Sequence, residues 1–557
     1  MEYKDVFKGS KVAYFSMEIG VKPEFSTYSG GLGILAGDTV RSSADLNIPL
    51  VATTLVLRKG YFRQEFNQDN WQIEKPDNWE PKDHLTLLPQ QVEVEIEKRT
   101  VKVQAWLYVV QSTTGGRVPV LFLDTDIEGN QEEDREITSY LYGGDKRYRM
   151  KQEIVLGIGG VRMLKALEVE VSKYHLNEGH ASFLTLEVFK EFEGNIEKIQ
   201  KKCVFTTHTP VEAGHDKFSY QLAEEVLPKI VPINVVKNFA GKDSLNMTLL
   251  ALNLSGFVNG VAKKHSETTK KMFPGYVISS VTNGVHPYTW TEDNFKELYD
   301  KHLPGWAKEP GLLGRVETIP HEEIWEAHHK AKKNLINFVN SKSEIKLSED
   351  VFTIGFARRA TTYKRHKLLF QDLERLKDIN SKFPIQMIFA GKAHPYDEPG
   401  KKMIQEIFSY IDELKDEIKV AYVEDYNMEK AQILIPGVDV WLNTPKRPME
   451  ASGTSGMKAA LNGGINFSIP DGWWVEGCIE GVTGWAIGPI GDHLSTKDLD
   501  LEEKHDLYGK LEYAILPMFY EQRDSWIDMM KNSIGKVATY FNSHRMMHRY
   551  ITDAYFG

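Results

Sequence analysis

The sequence predicts an α/β protein made of two doubly wound domains. Short runs rich in β-branched and aromatic residues alternate with longer helical stretches, which is the pattern of parallel sheets covered by helices. This alternation occurs twice, on either side of Asn283-Gly-Val-His-Pro287, where glycine and proline interrupt it. The chain of 557 residues is also too long for a single hydrophobic core.

The first half of the chain supplies six candidate strands. They are Val12–Ser16, Leu50–Leu57, Val118–Leu123, Ser172–Leu176, Val204–Thr207 and Tyr276–Val281. Residues 34–46 and 145–167 are expected to be helices, the second because apolar residues recur at helical spacing from Met150 to Leu164. The polar residues 68–99 are expected to form an irregular excursion.

The second half supplies four more candidate strands. They are Phe352–Phe356, Gln386–Phe389, Val420–Val423 and Val438–Leu442. Helical segments at Lys364–Lys377 and Gly400–Leu414 separate neighbouring runs, which indicates a doubly wound domain of its own. We therefore expect domains at residues 1–287 and 288–537.

The last segment, Ser543–Phe556, is amphipathic and has Ser543 as a candidate N-cap. Two Rossmann-like domains that face a catalytic cleft form the architecture called GT-B. In that fold the final helix, here about residues 538–557, packs back on the first domain.

Composition counts against several classes of function. The chain is 41% hydrophobic and 26% charged, which is ordinary for a globular protein, and a net charge of −10 disfavours nucleic-acid and anionic-membrane partners. The sequence has only Cys203 and Cys478, which suits a reducing cytoplasm and no disulfide framework. No secretion signal and no run of about 18 apolar residues is visible, so we expect a cytoplasmic protein without a membrane span.

Lys458 lies in the run Glu450-Ala-Ser-Gly-Thr-Ser-Gly-Met-Lys458-Ala-Ala-Leu-Asn-Gly463. Small residues precede the lysine and a helix-forming stretch follows it, so the backbone can approach a ligand at a helix N-terminus. An amine there can be a phosphate ligand or a Schiff-base anchor. A solvated lysine after a glycine-rich turn is the alternative.

Two further segments carry anion-binding groups. Ser29-Gly-Gly-Leu-Gly33 opens a predicted helix and can present backbone N–H groups to an anion, although many such loops are only tight turns. Arg358, Arg359, Lys364 and Arg365 follow a predicted strand, where α/β sheets bind ligands, although a solvated basic helix start has the same composition.

Histidines follow two other predicted strands. His208 lies in a Thr-His-Thr-Pro run, and a lone histidine there is more often structural. Glu178 and His180 imitate metal ligands, but their spacing on a strand and loop gives poor zinc geometry, so we expect no metal.

The run around Lys458 resembles the pyridoxal-phosphate attachment site of the α-glucan (glycogen, starch, maltodextrin) phosphorylases, in the short bacterial and archaeal branch of glycosyltransferase family 35. The family has matching glycine, basic and His-Thr segments. The resemblance implies pyridoxal 5′-phosphate as cofactor, and it implies roles for individual residues. Lys458, Arg359, Lys364 and His208 are the implied catalytic residues, with Arg359 and Lys364 gripping inorganic phosphate and His208 touching the glucosyl unit.

The remaining implied roles concern binding. The cofactor-binding residues are Lys458, Thr454, Ser455, Arg358 and Tyr426. The substrate-binding residues are Gly31, Gly33, Asn283, Glu450, Ser452, Gly453 and His180. Arg358 departs from the pattern, because many family members have lysine at its position.

The resemblance implies reversible, retaining phosphorolysis of an α-1,4-glucan by inorganic phosphate to give glucose 1-phosphate. It also implies a homodimer. A nucleotide-sugar glucosyltransferase of glycogen-synthase type shares the fold, the glycine loop and His-Thr-Pro, but it gives no reason for Met457-Lys458. A non-catalytic glucan-binding relative is a second alternative, and the retained basic pair, His208 and Lys458 count against it.

Overall fold

The structure, a computed structural model, describes residues 3–489 and 496–556, which belong to two compact units. The first unit contains the chain up to Phe62, Pro76–Thr282 and the residues from Ser543 onward. The second contains Arg63–Lys75 and Asn283–Asn542. Among the described residues, every helix is too short or too polar to cross a bilayer.

The strands of the described residues are numbered in chain order. They are β1 Val12–Ser16, β2 Leu50–Leu55, β3 Arg63–Phe66, β4 Gln72–Lys75, β5 Thr86–Ile96, β6 Arg99–Gln111, β7 Arg117–Asp124, β8 Lys173–Asn177, β9 Cys203–Thr206, β10 Lys217–Phe218, β11 Leu245–Asn246, β12 Phe257–Gly260, β13 Ser279–Ser280, β14 Phe352–Ala357, β15 Ile385–Ala390, β16 Lys419–Val423, β17 Val440–Asn443, β18 Ile465–Ser468 and β19 Gly484–Ala486.

The α-helices of the described residues are numbered in the same way. They are α1 Gly31–Asp45, α2 Glu132–Arg135, α3 Lys146–Ile154, α4 Gly160–Ala166, α5 Leu184–Glu191, α6 Ile196–Lys202, α7 Tyr220–Val226, α8 Ile233–Ala240, α9 Met247–Leu254, α10 Lys263–Met272, α11 Pro287–Trp290, α12 Asp293–His302, α13 His321–Lys342, α14 Leu373–Lys382, α15 Glu398–Leu414, α16 Met428–Leu434, α17 Ser455–Leu461, α18 Trp474–Gly477, α19 Thr496–Lys510, α20 Leu516–Glu521, α21 Arg523–Asn532 and α22 Ser543–Tyr550.

The first unit is built on a nine-stranded sheet with the order β13-β12-β9-β8-β1-β2-β7-β6-β5. The strands from β13 to β7 run parallel, and β6 and β5 add an antiparallel edge. Both faces of the central strand are covered: Ala13 and Phe15 pack into one apolar core, and Val12 and Tyr14 pack into a second core that includes Tyr550 of α22. A strand buried on both faces reads as a continuous apolar run, which is why the sequence predicted it.

The second unit holds a six-stranded parallel sheet with the order β16-β15-β14-β17-β18-β19. The strand order reverses direction between β14 and β17, so the crevice outside their carboxyl ends is the place where open α/β sheets bind ligands. The loops that follow β14 and β17 carry Arg358 and Glu450.

The structure corrects the expectation for residues 68–99. Instead of an irregular excursion, this stretch includes β5, which pairs with β6 from Thr86 to Ile96 as a long antiparallel hairpin. Glutamate and glutamine on the outer face of β5 make the sequence polar, and that composition concealed the strand.

Residues 63–75 also differ from the expected division, which had put them in the first domain. They form the β3–β4 hairpin of the second unit. Gln64 and Gln72 donate side-chain hydrogen bonds to the carbonyls of Gly391 and Ala393, both at 2.9 Å. Membership of the hairpin is therefore decided by tertiary contacts that have no local sequence signal.

Two predicted helices are interrupted. The helix expected at residues 364–377 begins only at Leu373, with α14. Two 3₁₀ turns, Thr362–Lys364 and Leu368–Phe370, precede it, and Arg365 between them breaks the helix because its backbone is left-handed with φ 48°. Residues 145–167 form α3 and α4 joined by a π-helical segment, Val155–Gly159. A Cβ added at Gly157 would lie 2.6 Å from a backbone nitrogen, so glycine lets this segment pack closely.

Candidate active site

In the second unit, two cations of the basic loop (residues 358–365) meet one carboxylate of the glutamate loop (residues 444–450). Arg358 and Lys364 both donate to Oε2 of Glu450. Arg358 continues β14, because its backbone N–H donates to the Ala390 carbonyl at 3.1 Å. Gly391 permits this approach, since a Cβ there would lie 1.9 Å from the Arg358 carbonyl oxygen. Tertiary structure thus joins two of the sequence-predicted sites.

The cations fix the charge of Glu450. Burial by itself raises the pKa of this carboxyl, but the positive charges of Arg358 and Lys364 outweigh burial and lower the pKa to about 2. Glu450 is therefore ionised at neutral pH and neutralises one of the two neighbouring positive charges.

Asp471 supports the same loop and was not predicted. It follows β18, and its carboxylate accepts the backbone N–H groups of Glu450 at 2.8 Å and Gly472 at 2.9 Å. Burial raises the pKa of Asp471 to about 7, and the Glu450 charge adds to this effect against the two backbone hydrogen bonds. Its position after a strand, next to a glycine, was the available sequence signal.

Lys458 lies on α17 and is 7% exposed. Its Nζ lies 3.4 Å from the ring centroid of Trp290, a cation–π contact that the sequence did not reveal. The small residues before it are required by packing, because a Cβ at Gly456 would lie 2.2 Å from Oδ1 of Asn466. The predicted glycine-rich approach to a helix is therefore a close-packed turn around a buried amine.

The other predicted residues of this unit vary in burial. Ser455 Oγ accepts from Nε1 of Trp441 at 2.9 Å, and Thr454 accepts the Lys458 backbone N–H at 3.4 Å. Ser452 is buried and Gly453 has φ 78°. Arg359 is exposed, Tyr426 lies after β16 and is half-buried, and Asn283 is buried.

Some buried polar atoms of the basic loop and of the run from Glu450 to Lys458 have no hydrogen-bond partner within the described part of the chain. They are Nη1 of Arg358, Oγ1 of Thr361 and Oγ of Ser452. Since buried polar atoms are normally paired, such atoms suit a polar ligand.

In the first unit, the predicted glycine loop is anchored by Glu18. This buried carboxylate accepts the Ser29 backbone N–H at 2.6 Å and the Tyr142 hydroxyl at 2.7 Å. Gly31 begins α1 and has open space around a Cβ, whereas a Cβ at Gly33 would lie 2.6 Å from Tyr28 and 2.7 Å from Glu18. The two glycines therefore have different structural duties.

His208 follows β9 and joins a network at the carboxyl ends of β8 and β9. Its Nε2 is 2.6 Å from Oδ1 of Asn177, and its backbone N–H donates to Glu178 at 2.6 Å. Burial, reinforced by His265, lowers the pKa of the half-buried His208 ring to about 3, so the imidazole is neutral near pH 7. Glu178 has φ 75°, a strained conformation of the kind found at functional sites.

Glu178 and His180 point to different partners. Glu178 accepts from His208, Gly179 and Thr209. His180 Nε2 instead lies 3.5 Å from Asp216, and burial together with Arg149 lowers the pKa of His180 to about 3. The pair therefore does not converge on one point.

Comparison with known proteins decides the family. The carbohydrate phosphorylase family matches residues 20–147 and 233–482 of this chain. The chain is also 41% identical to the maltodextrin phosphorylase of Thermococcus litoralis, over 98% of this chain and 70% of that protein. The chain belongs to the carbohydrate phosphorylase family. It is therefore a glycosyltransferase of the phosphorylase type.

Two further relatives differ in length from the first. The chain is 35% identical to the glycogen phosphorylase of Aquifex aeolicus, over 100% of this chain and 87% of that protein. It is 31% identical to an uncharacterized protein of Methanocaldococcus jannaschii, over 98% of this chain and 99% of that protein. The segments matched to the carbohydrate phosphorylase family include the glycine loop, the basic loop and Lys458, whereas His180 and His208 lie between those segments.

Proposed function

We propose that this carbohydrate phosphorylase cleaves α-1,4-glucans with inorganic phosphate, reversibly and with retained configuration, to give glucose 1-phosphate and a shortened chain. The observation that carries the proposal is that one unit holds both a buried lysine on α17 and two loop cations that share one carboxylate. Family membership and the names of the relatives support the same reaction.

The residues around Lys458 fit pyridoxal 5′-phosphate. A buried amine next to an aromatic ring suits covalent attachment of a carbonyl compound. The unpartnered Nη1 of Arg358 and Oγ of Ser452 suit a polar ligand, and we assign Thr454, Ser455 and Tyr426 to the same cofactor. When bound, this cofactor supplies a phosphate group that supports proton transfer at the glycosidic oxygen.

We assign the substrate phosphate to Lys364 and Arg359. Arginine can hold phosphate through two parallel hydrogen bonds, and lysine adds a compact positive charge. Because Glu450 offsets only one of the two charges on Arg358 and Lys364, the three groups keep a net positive charge that favours an anion. Fixed cations also stabilise the charge that develops as the glycosidic bond breaks.

We assign the sugar to neutral and polar groups. His208 is a neutral imidazole and can exchange hydrogen bonds with a glucosyl hydroxyl. Asn283, Glu450, Ser452 and Gly453 are proposed to bind the glucose ring, and His180 the acceptor side. The backbone N–H groups of Gly31 and Gly33 are proposed to face the substrate phosphate.

Two finer proposals rest on the sequence and on its resemblance to the phosphorylases. Cys203 and Cys478 are both free thiols, which suits the cytoplasm. A homodimer is the second proposal, and sedimentation velocity on the purified chain would test it.

The function is tested by incubating the purified chain and pyridoxal phosphate with maltooligosaccharides of graded length. We expect glucose 1-phosphate to form only when inorganic phosphate is added. Glucosyl transfer from UDP-glucose without any phosphorolysis would instead support a nucleotide-sugar glucosyltransferase.

A further inference from the structure

A buried carboxylate outside the basic and glutamate loops bonds to both of them. Glu503 lies on α19 and is 1% exposed. It accepts from Arg365 of the basic loop, and it accepts from Nη2 and Nε of Arg447 of the glutamate loop at 2.8 and 3.0 Å. One buried negative charge thus holds one arginine from each loop, an arrangement we name the Glu503 bridge.

The two arginines lie close in sequence to Lys364 and Glu450. Arg365 directly follows Lys364, and Arg447 precedes Glu450 by three positions. Asp500, also on α19, accepts a second hydrogen bond from Arg365 at 2.9 Å. Gly488 closes over the bridge, because a Cβ there would lie 2.6 Å from Cγ of Glu503. The bridge is therefore enclosed and short of solvent, where an ion pair is screened least.

Arg365 also contacts the glutamate loop directly. Arg365 donates from Nε to the Thr444 carbonyl at 3.0 Å and from Nη2 to the Pro445 carbonyl at 3.1 Å. The Thr444 hydroxyl returns a hydrogen bond to the Lys364 carbonyl at 3.0 Å. The guanidinium of Arg365 therefore bonds to the glutamate loop and to α19 at the same time.

The Glu503 bridge helps to hold the unusual backbone conformation of Arg365. Its φ of 48° lies in the left-handed region, which a non-glycine residue adopts only when its surroundings hold it there. Without Glu503, Arg447 would lose its carboxylate partner and Arg365 would keep only Asp500, so less would hold Arg365 in this conformation. Relaxation of Arg365 would displace the adjacent Lys364.

We propose that Glu503 is a positioning residue for substrate phosphate: by bridging Arg365 and Arg447 it fixes Lys364 in the phosphate-binding geometry. This inference rests on the proposed function, because it takes Lys364 to bind that phosphate. Glu503 touches neither substrate nor cofactor in this account and acts only through the loops.

The decisive variant is Glu503→Gln, which keeps the size of the side chain and removes its charge. We expect KM for inorganic phosphate to rise about tenfold or more, and by a larger factor than KM for maltoheptaose, because Lys364 directly adjoins Arg365 whereas Glu450 lies three positions from Arg447. Glu503→Asp keeps the charge and should recover part of the loss.

The matched control is Glu512→Gln. Glu512 is a mostly buried carboxylate of the same unit that accepts from Lys382 at 2.7 Å and pairs with Arg375 at 3.4 Å, away from both loops. A comparable loss of melting temperature with an unchanged KM for phosphate is expected there. Equal phosphate KM values for wild type, Glu503→Gln and Glu512→Gln would overturn the proposal.

A second variant keeps the test decisive if Glu503→Gln does not fold. Arg447→Met removes only the bond between Glu503 and the glutamate loop and leaves Glu503 paired with Arg365. This variant should also raise KM for phosphate, and an unchanged KM would contradict the bridge.

Wild-type protein without phosphorolysis would refute the proposed function instead. In that case, hydrogen exchange of residues 359–366 decides the bridge: faster exchange in Arg447→Met supports it, and wild-type exchange overturns it.

Discussion

Lys364 donates a hydrogen bond to Glu450, although the two residues stand 86 positions apart in the chain. The contact exists because β14 and β17 are neighbours in a parallel sheet, so the loops that leave their carboxyl ends meet. Glu450 and Lys364 were assigned to glucose and phosphate respectively. Their ion pair joins the two proposed binding roles in one electrostatic centre.

This shared centre predicts an unusual effect of Glu450→Gln. Because Glu450 competes for Lys364, removal of its charge should lower KM for phosphate by about tenfold or more, which corresponds to the free energy of one charged hydrogen bond. The same change should raise KM for glucan, since the proposed sugar contact is weakened. Steady-state kinetics with each substrate varied in turn would check both directions, and a higher phosphate KM would contradict the competition.

Asp471 predicts a pH-dependent stability. Its folded pKa is raised to about 7, so its protonated form favours folding, and stability is lost as pH rises from the usual aspartate value of 3.8 through about 7. We expect the melting temperature of wild type relative to Asp471→Asn to fall between about pH 4 and about pH 7. The difference corresponds to a few kcal/mol, as an order of magnitude. A difference that does not change with pH would refute the raised pKa.

The glycine loop predicts unequal effects of two alanine substitutions. Gly33→Ala forces a Cβ against Tyr28 and Glu18, and overpacking of this kind costs about 1–3 kcal/mol. Gly31→Ala meets open space and should leave the free energy of unfolding within about 0.5 kcal/mol of wild type. Denaturant unfolding of the two variants would measure the contrast, and equal stability would mean that the loop rearranges freely.

His208 predicts a pH effect that can be engineered. Its neighbour Asn177 is uncharged, and burial keeps the pKa of the imidazole at about 3. Asn177→Asp places a negative charge beside the ring and should raise that pKa toward neutrality. Since the proposed sugar contact needs a neutral ring, kcat/KM of the variant should fall as pH drops below about 7.

Wild type provides the comparison and is expected to show no such decline from His208. Asn177→Ser is the neutral control variant. Identical pH profiles for the aspartate and serine variants would show that the charge of His208 has no part in activity.

The sequence predicted the parts of the fold whose signals are local. Val12–Ser16 and Phe352–Ala357 are fully buried strands and read as apolar runs. The β3–β4 hairpin and β5 were missed because their packing partners lie far away in the chain or their outer faces are polar. The domain boundary at residue 287 and the individual site roles remain predictions.

The same distinction applies to the candidate site. Lys458 and Arg358 stand in contiguous motifs, so a short stretch of sequence sufficed to select them. Trp290, Asp471 and Glu503 contribute single side chains from separate elements, and only the folded unit brings them to the loops. No periodicity or motif in the sequence predicts long-range contacts of this kind.

We propose that Lys458 carries the group on which phosphorolysis depends. The most direct test compares phosphate-dependent formation of glucose 1-phosphate from maltoheptaose by wild type and by Lys458→Ala, with Lys536→Ala as the control for an exposed lysine of the same unit. We predict that wild type and Lys536→Ala form product while Lys458→Ala, folded by its melting temperature, forms none above background. Substantial product from Lys458→Ala would contradict the claim.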